Sequence, residues 1–339
     1  MTSNPAPRTR LLDSHVLAGG LAVLVGVNVA IQSRINGEFG HRIGDGVYVA
    51  VISFGTGLIC AIVFVLLSPN ARAGVVLARD GLRNGGLRWW ELLGGLGGAM
   101  YVASQSITVA ALGVALFTVC IVAGQTGNSL VVDRFGLGPA GVQRATAARI
   151  AAAALAVLAV AIGVSGRWHV ADFRPLFVAF VAVAGAAAAF QQAFNGQVAR
   201  EARSAPVSSL VNFIVGFVAL LVVFAVGHLI LAHHLPALPS PLSLSWWLYL
   251  GGPMGFAYTL GLALTVRTLG VLVFGLCAIA GQLGGALLLD VVSPAAGGEV
   301  TWQLVTAVVL TLAAVLLAGG SALRGSGRTS GRTSDAAQA

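Results

Sequence analysis

The chain of 339 residues is 57% hydrophobic and only 9% charged, with a mean hydropathy of +0.91; a soluble globular domain carries roughly 25% charged residues. A soluble fold is therefore excluded, and 45 glycines beside 7% aromatics suit close-packed membrane helices better than a barrel with aromatic girdles. The net charge of +8 comes from 19 basic residues, all Arg, lying between apolar runs or in the tails, so it reads as membrane topology rather than a nucleic-acid surface.

Ten apolar runs, each near the roughly 20 residues that cross a bilayer as a helix, follow a cytoplasmic tail over 1–14. They predict spans at 15–34, 47–67, 89–109, 111–132, 143–165, 173–194, 206–231, 246–265, 269–290 and 301–321. Nine further spans and the lack of a small-residue cleavage site make the first an uncleaved helix. The end, 322–339, is rich in Gly, Ser, Thr and Arg and is expected to be a disordered cytoplasmic tail. Cys60, Cys120 and Cys277 all fall inside apolar runs and read as small packing residues. His233 and His234 sit in a Pro-rich loop without a third ligand at zinc spacing. With the N-terminus inside, 15 Arg lie on cytoplasmic segments; only Arg34, Arg42, Arg167 and Arg174 lie outside. Both termini are expected in the cytoplasm.

The chain repeats itself. A shift of 159 brings Gly26 onto Gly185, Gln32 onto Gln191, Asn36-Gly37 onto Asn195-Gly196, Ser53 onto Asn212, Phe54 onto Phe213 and Gly57 onto Gly216. A shift of 157 brings Trp89-Trp90 onto Trp246-Trp247, Gly94-Gly95 onto Gly251-Gly252 and Tyr101 onto Tyr258. The same shift matches Leu112-Gly113-Val114 with Leu269-Gly270-Val271, Gly124-Gln125 with Gly281-Gln282, and Asp133 with Asp290. Two unrelated apolar helices would match in Leu, Val and Ala, not in Trp-Trp, Gln and Asp. The units are 15–166 and 167–321. Each holds five spans, an odd number, so the second is expected upside down, as in transporters whose substrate site lies between inverted halves.

These residues resemble the drug/metabolite transporter superfamily and, within it, the YdcZ-like inner-membrane exporters. The resemblance rests on Gln32-x-x-x-Asn36-Gly37, on Ser53-Phe54-x-x-Gly57 and on Gly124-Gln125-x-Gly127, and it recurs in both halves. It implies an all-α integral membrane protein of ten helices in two inverted five-helix repeats, placed in the cytoplasmic membrane and engaged in export. It names no substrate.

The candidate path residues are the amides and phenols inside the spans. A bilayer cannot hydrogen-bond them, so they must face protein, water or ligand. Asn28, Gln32 and Asn36 share one face of the first span and Ser53 lies nearby on the second. Gln191, Asn195 and Asn212 repeat this on the other side of the membrane. Gln125 and Asn128 in span four and Gln282 in span nine add to the two layers, and Tyr101 and Tyr258 lie deeper in spans three and eight. The expectation is a pair of alternating gates, each formed by one half's first two helices and the other half's fourth. Asp133 and Asp290 are candidate coupling or gate carboxylates; at span ends, such groups are ordinarily solvated or paired with Arg. The glycine runs at 94–98 and 251–255 read as close-packing faces, and spans five and ten, almost pure Ala, Val and Leu, as peripheral.

The chain lacks a Walker loop, and no paired acids, Ser/His arrangement or metal cluster sits within the spans. The expected function is a secondary active or facilitated transporter of a small metabolite or drug-like compound, not an enzyme. A lipid flippase or a non-transporting scaffold is the alternative. A small-molecule substrate and the lipid bilayer are the expected partners, with a homodimer as a candidate assembly; no nucleic acid, cofactor or metal is expected.

Overall fold

The computed structural model describes residues 7–166, 174–231, 236–293 and 299–335, and among them every regular element is helical. His233, His234 and Arg167 lie outside the described residues. The helices are α1 (Pro7–Ile43), α2 (Gly46–Leu67), α3 (Pro69–Asn84), α4 (Gly94–Leu112), α5 (Val114–Arg134) and α6 (Ala147–Ser165), then α7 (Pro175–Ala202), α8 (Ala205–Leu231), α9 (Gly251–Val292) and α10 (Trp302–Asp335). Short 3₁₀ turns at Trp89–Leu93 and Trp246–Leu250 lead into α4 and α9. Eight helical stretches are long and apolar enough to cross a membrane: His15–Ile43, Gly46–Leu67, Val114–Arg134, Ala147–Ser165, Pro175–Ala202, Ala205–Ile230, Val273–Val292 and Trp302–Gly319. The protein is an all-helical integral membrane protein.

Predicted spans three and eight are not among the eight. They correspond to α4 and to the part of α9 before Gly270, called α9a here (251–269); the remainder, 271–292, is α9b. In α4, Gly94, Gly95, Gly97, Gly98, Ser104, Gln105, Ser106 and Thr108 are all buried. A helix enclosed by other helices has small and polar residues where a lipid-facing one has Leu and Val. The latter pattern is seen on α8, whose Val218, Val222, Val223 and Val226 are exposed.

Both repeats break their chain at the same place. Gly113 stands between α4 and α5 with φ 77° and ψ 163°, and Gly270 between α9a and α9b with φ 74° and ψ 161°. This region is open essentially to glycine alone. The connection after α2 is itself helical: Ser68 caps α3 through the Ala71 N–H, Pro69 opens it and Gly85 at φ 78° closes it. Its small residues Ala71, Gly74, Ala78 and Gly81 are buried, and Gly74 and Gly81 abut Ala202 and Glu201 at the end of α7. At the other terminus, α10 continues to Asp335, through the stretch expected to be disordered. An established helix propagates without a second nucleation cost.

Packing follows the repeat. Gly26 on α1 sits against Ala278 and Gln282 of α9b, and Gly281 against the Val23 backbone; equivalently, Gly185 on α7 sits against Ile121 of α5, and Gly124 against Ala182. A Cβ at any of the four would overlap its neighbour's backbone. At the centre, Phe54 of α2 and its counterpart Phe213 of α8 meet edge to face at 5.3 Å. Gly57 accommodates the Phe213 ring and Gly216 the Phe54 ring. The two helices run antiparallel, since Tyr48 stacks on Phe224 at one end. Spans five and ten pack together through Gly163 of α6 and Ala307 of α10, leaving Val157, Leu158, Val309 and Leu316 exposed.

Candidate functional site

The polar residues singled out by sequence gather into two layers. In the first, Gln32 Nε2 donates to Gly251 O at 2.9 Å and Asn28 Nδ2 to Met254 O at 2.9 Å. Asn36 Nδ2 donates to Gln105 Oε1 at 2.8 Å, and Gln105 Nε2 to Ser33 Oγ at 2.8 Å. Gln32, Ser33, Asn36, Ser53 and Gln105 are all buried. In the second layer, Gln191 Nε2 and Asn195 Nδ2 both donate to Asn212 Oδ1, at 3.0 and 3.1 Å. Asn128 Nδ2 donates to Ala186 O at 2.7 Å. Gln191 and Asn195 are half-buried, unlike their counterparts Gln32 and Asn36.

These layers differ from the expected gates in one respect. Each set of amides on a half's first two helices closes on the other half's third helix, not its fourth. Gly251, Gly252 and Gly255 of α9a face Asn36, Ser53 and Gln32, while Gly94, Gly95 and Gly98 of α4 face Asn195, Asn212 and Gln191. The reason is steric. The glycine runs leave room for amide side chains at the start of the third helix, whereas the fourth helices meet α1 and α7 backbone to backbone. The glycines read as a packing face thus double as the floor of each polar layer.

Span-four and span-nine residues divide. Gln282 Nε2 donates to Tyr101 Oη at 3.2 Å, joining α9b to α4. Gln125, its counterpart, is half-buried and makes no such link among the described residues. Tyr101 and Tyr258 hold equivalent aromatic contacts, edge to face on Phe117 at 6.0 Å and on Phe274 at 6.1 Å.

The carboxylates part company. Asp133 is paired with Arg149, part exposed, as a span-end acid is expected to be. Asp290 is neither solvated nor at a free end: only 2% of it is exposed, and its two oxygens accept the N–H groups of Val114 at 3.0 Å and Ala115 at 2.8 Å. The break at Gly113 exposes these donors at the first turn of α5, where a carboxylate satisfies them and the positive end of the helix dipole together. Around that contact every residue from Val114 to Ala123 is buried, while in α9b Val273, Gly275, Leu276 and Cys277 are only half-buried.

Gln105 and Ser33 were not among the residues predicted for the path. Gln105 faces Leu262 in the repeat alignment, so a search for duplicated amides passes over it. The Ser104-Gln105-Ser106 cluster within an apolar run is the signal that finds it.

The family model described as "Putative inner membrane exporter, YdcZ" matches residues 17–162 and again 176–317. A solved structure titled "Crystal structure of protein" is similar over 92% of this chain and 98% of its own, at 23% identity and a TM-score of 0.50, a likeness of fold alone. No curated protein matches the chain.

Proposed function

The chain belongs to the YdcZ family of inner-membrane exporters, and on that premise we propose that it carries a small metabolite or drug-like compound out of the cell by alternating access between two inverted five-helix units. In this reading α4 and α9a join the eight apolar stretches as spans, making ten. Inversion is supported by α2 and α8, which hold the same place in their units yet pack antiparallel. The arginine excess puts both termini in the cytoplasm. Gly113 and Asp290 then mark the outer end, Gly270 and Asp133 the inner.

The unequal engagement of the two carboxylates carries the reading. Asp290 is seated on the start of α5, which draws the outer end shut. Asp133 is held by Arg149 instead, and the inner end is looser. Two inverted units with exchanged roles give the second state directly: Asp133 seats on the start of α9b and Asp290 is released. The two amide layers open in turn, and Gln282 and Tyr101 lie between them. No ATP site is needed, so transport is secondary active or facilitated.

The test is charge movement on a solid-supported membrane. Amines, sugars, nucleosides and organic acids are applied to the reconstituted protein and to a Gln125→Ala/Gln282→Ala double variant, with labelled counterflow covering electroneutral exchange. One class is expected to give a signal that the double variant loses. A signal kept in full by the double variant removes these amides from the path. No signal and no counterflow for any class would favour the scaffold alternative.

A further inference from the structure

Below the second amide layer lies a cavity of about 290 Å³ that the transport reading does not use. Three elements enclose it: the turn from α3 into α4, with Arg88, Trp90 and Glu91; the end of α5, with Phe135; and the last turns of α7, with Gln197 and Arg200. Gln197 is 9% exposed. Its Nε2 donates to Leu137 O at 3.2 Å, but its Oε1 is buried without a partner. An unmatched buried acceptor costs the full desolvation of that atom, and a donor from an occupant of the cavity would remove the cost. Two arginines and one glutamate line it: the Glu91 carboxylate accepts the Arg88 backbone N–H at 2.7 Å, and Arg200 donates one guanidinium N–H to Pro139 O at 3.2 Å, leaving its other donors for an occupant. Arg88 Cζ lies 5.1 Å from the centroid of the Trp90 ring, within cation–π reach.

The repeat isolates what is special here. Trp90 has its counterpart in Trp247, so the aromatic scaffold is duplicated. Arg88, Glu91, Gln197 and Arg200 correspond instead to Ser245, Leu248, Glu38 and His41. Membrane topology accounts for arginines on one side, but not for a buried amide oxygen left open between them. We propose that this cavity binds a small organic oxyanion, a carboxylate or phosphate ester, that carries a hydrogen-bond donor beside its anionic group. Arg88 and Arg200 take the oxyanion, Gln197 Oε1 accepts from the donor, and Trp90 and Phe135 cover the apolar part. Resting on the export reading, the cavity is the first binding station at the cytoplasmic mouth, and the substrate class is anionic.

Calorimetry on the full chain in phosphatidylcholine nanodiscs tests this with three probes of one shape. Phenyllactate has anion and donor, 3-phenylpropionate the anion alone, and 3-phenylpropane-1,2-diol the donor alone. Phenyllactate is expected to bind tightest, about tenfold over phenylpropionate. Arg88→Gln/Arg200→Gln should weaken both acids about a hundredfold. Gln197→Leu should bring phenyllactate down to phenylpropionate and leave phenylpropionate unchanged, which also shows that this variant is folded. Equal binding of the three probes, or unaltered binding in the arginine variant, overturns the proposal. Loss of phenyllactate binding when phosphatidylglycerol is added to the disc assigns the cavity to a lipid headgroup and overturns its substrate role. Phenyllactate that binds as expected while no organic acid is moved in proteoliposomes supports the site and counts against export.

Discussion

The Asp290 end and the Asp133 end of the molecule are built from the same parts and are held differently. At one end Asp290 reaches across to the start of α5, Asn36 and Gln32 are buried, and Gln105 ties Asn36 to Ser33. At the other, Asp133 turns to Arg149, and Gln191 and Asn195 share a single acceptor on Asn212. The glycine crossings and the paired aromatics are the same at both ends. What the repeat shares is scaffold; on the transport and oxyanion readings proposed above, what it does not share is conformation or specificity. Asp290 and Asp133 belong to the first kind of difference, being the same residue in two settings. Arg88 and Gln197 belong to the second, being residues present on one side only.

The largest effect is expected where the scaffold is shared. Gly281→Val and Gly124→Val should each cost several kcal/mol, on the order of 4, because each side chain would enter a partner backbone. Little folded protein should be recovered from either, by size-exclusion chromatography in detergent. A large disparity between the two would break the equivalence of the crossings. Gly113→Ala and Gly270→Ala should both lower thermal stability by about 3 kcal/mol, since both positions sit at positive φ with extended ψ; matched losses would extend the repeat to the backbone.

The carboxylates should separate. Asp290→Asn removes the anionic cap from two buried N–H groups and is expected to cost about 2 kcal/mol, whereas Asp133→Asn breaks a part-exposed ion pair and should cost less than about 1 kcal/mol. Thermal unfolding of the purified variants decides it, and equal losses would remove the asymmetry on which the two-state reading stands. A loss of about the same size as for Asp133→Asn is expected for Gln105→Leu, which makes the first half like the second at Leu262 and removes the acceptor of the buried Asn36 amide. Interhelical hydrogen bonds in membranes average about 0.6 kcal/mol, so two lost bonds should shift the midpoint only modestly.

The sequence made the helices and the duplication legible because both are local or register-bound: apolar length marks a span, and Trp-Trp or Gly-Gln in step marks a repeat. What it hid was set by partners far along the chain. Asp290 reads as an ordinary span-end acid until α5 supplies its amides from 176 residues away. The choice of third over fourth helix as the floor of each polar layer depends on which glycines face which amides, and periodicity does not specify the partner of a face. The α3 helix escaped for the opposite reason: its packed face is Ala and Gly, which carry almost no hydropathy signal, while its arginines suggest a loop.

The exchange of contacts between halves bears on how such a chain can change over time. Gln32 is satisfied by the backbone of Gly251, 219 residues downstream, and Asn195 finds its space beside Gly94, far upstream. The amides of each unit are floored by the glycine run of the other. A substitution at an exchange point must therefore be tolerated by a partner in the other copy, while a lipid-facing position answers only to the membrane. Asn36-Gly37, Gly94-Gly95 and Gly124-Gln125, each identical in the other copy, are among the positions held to this double constraint.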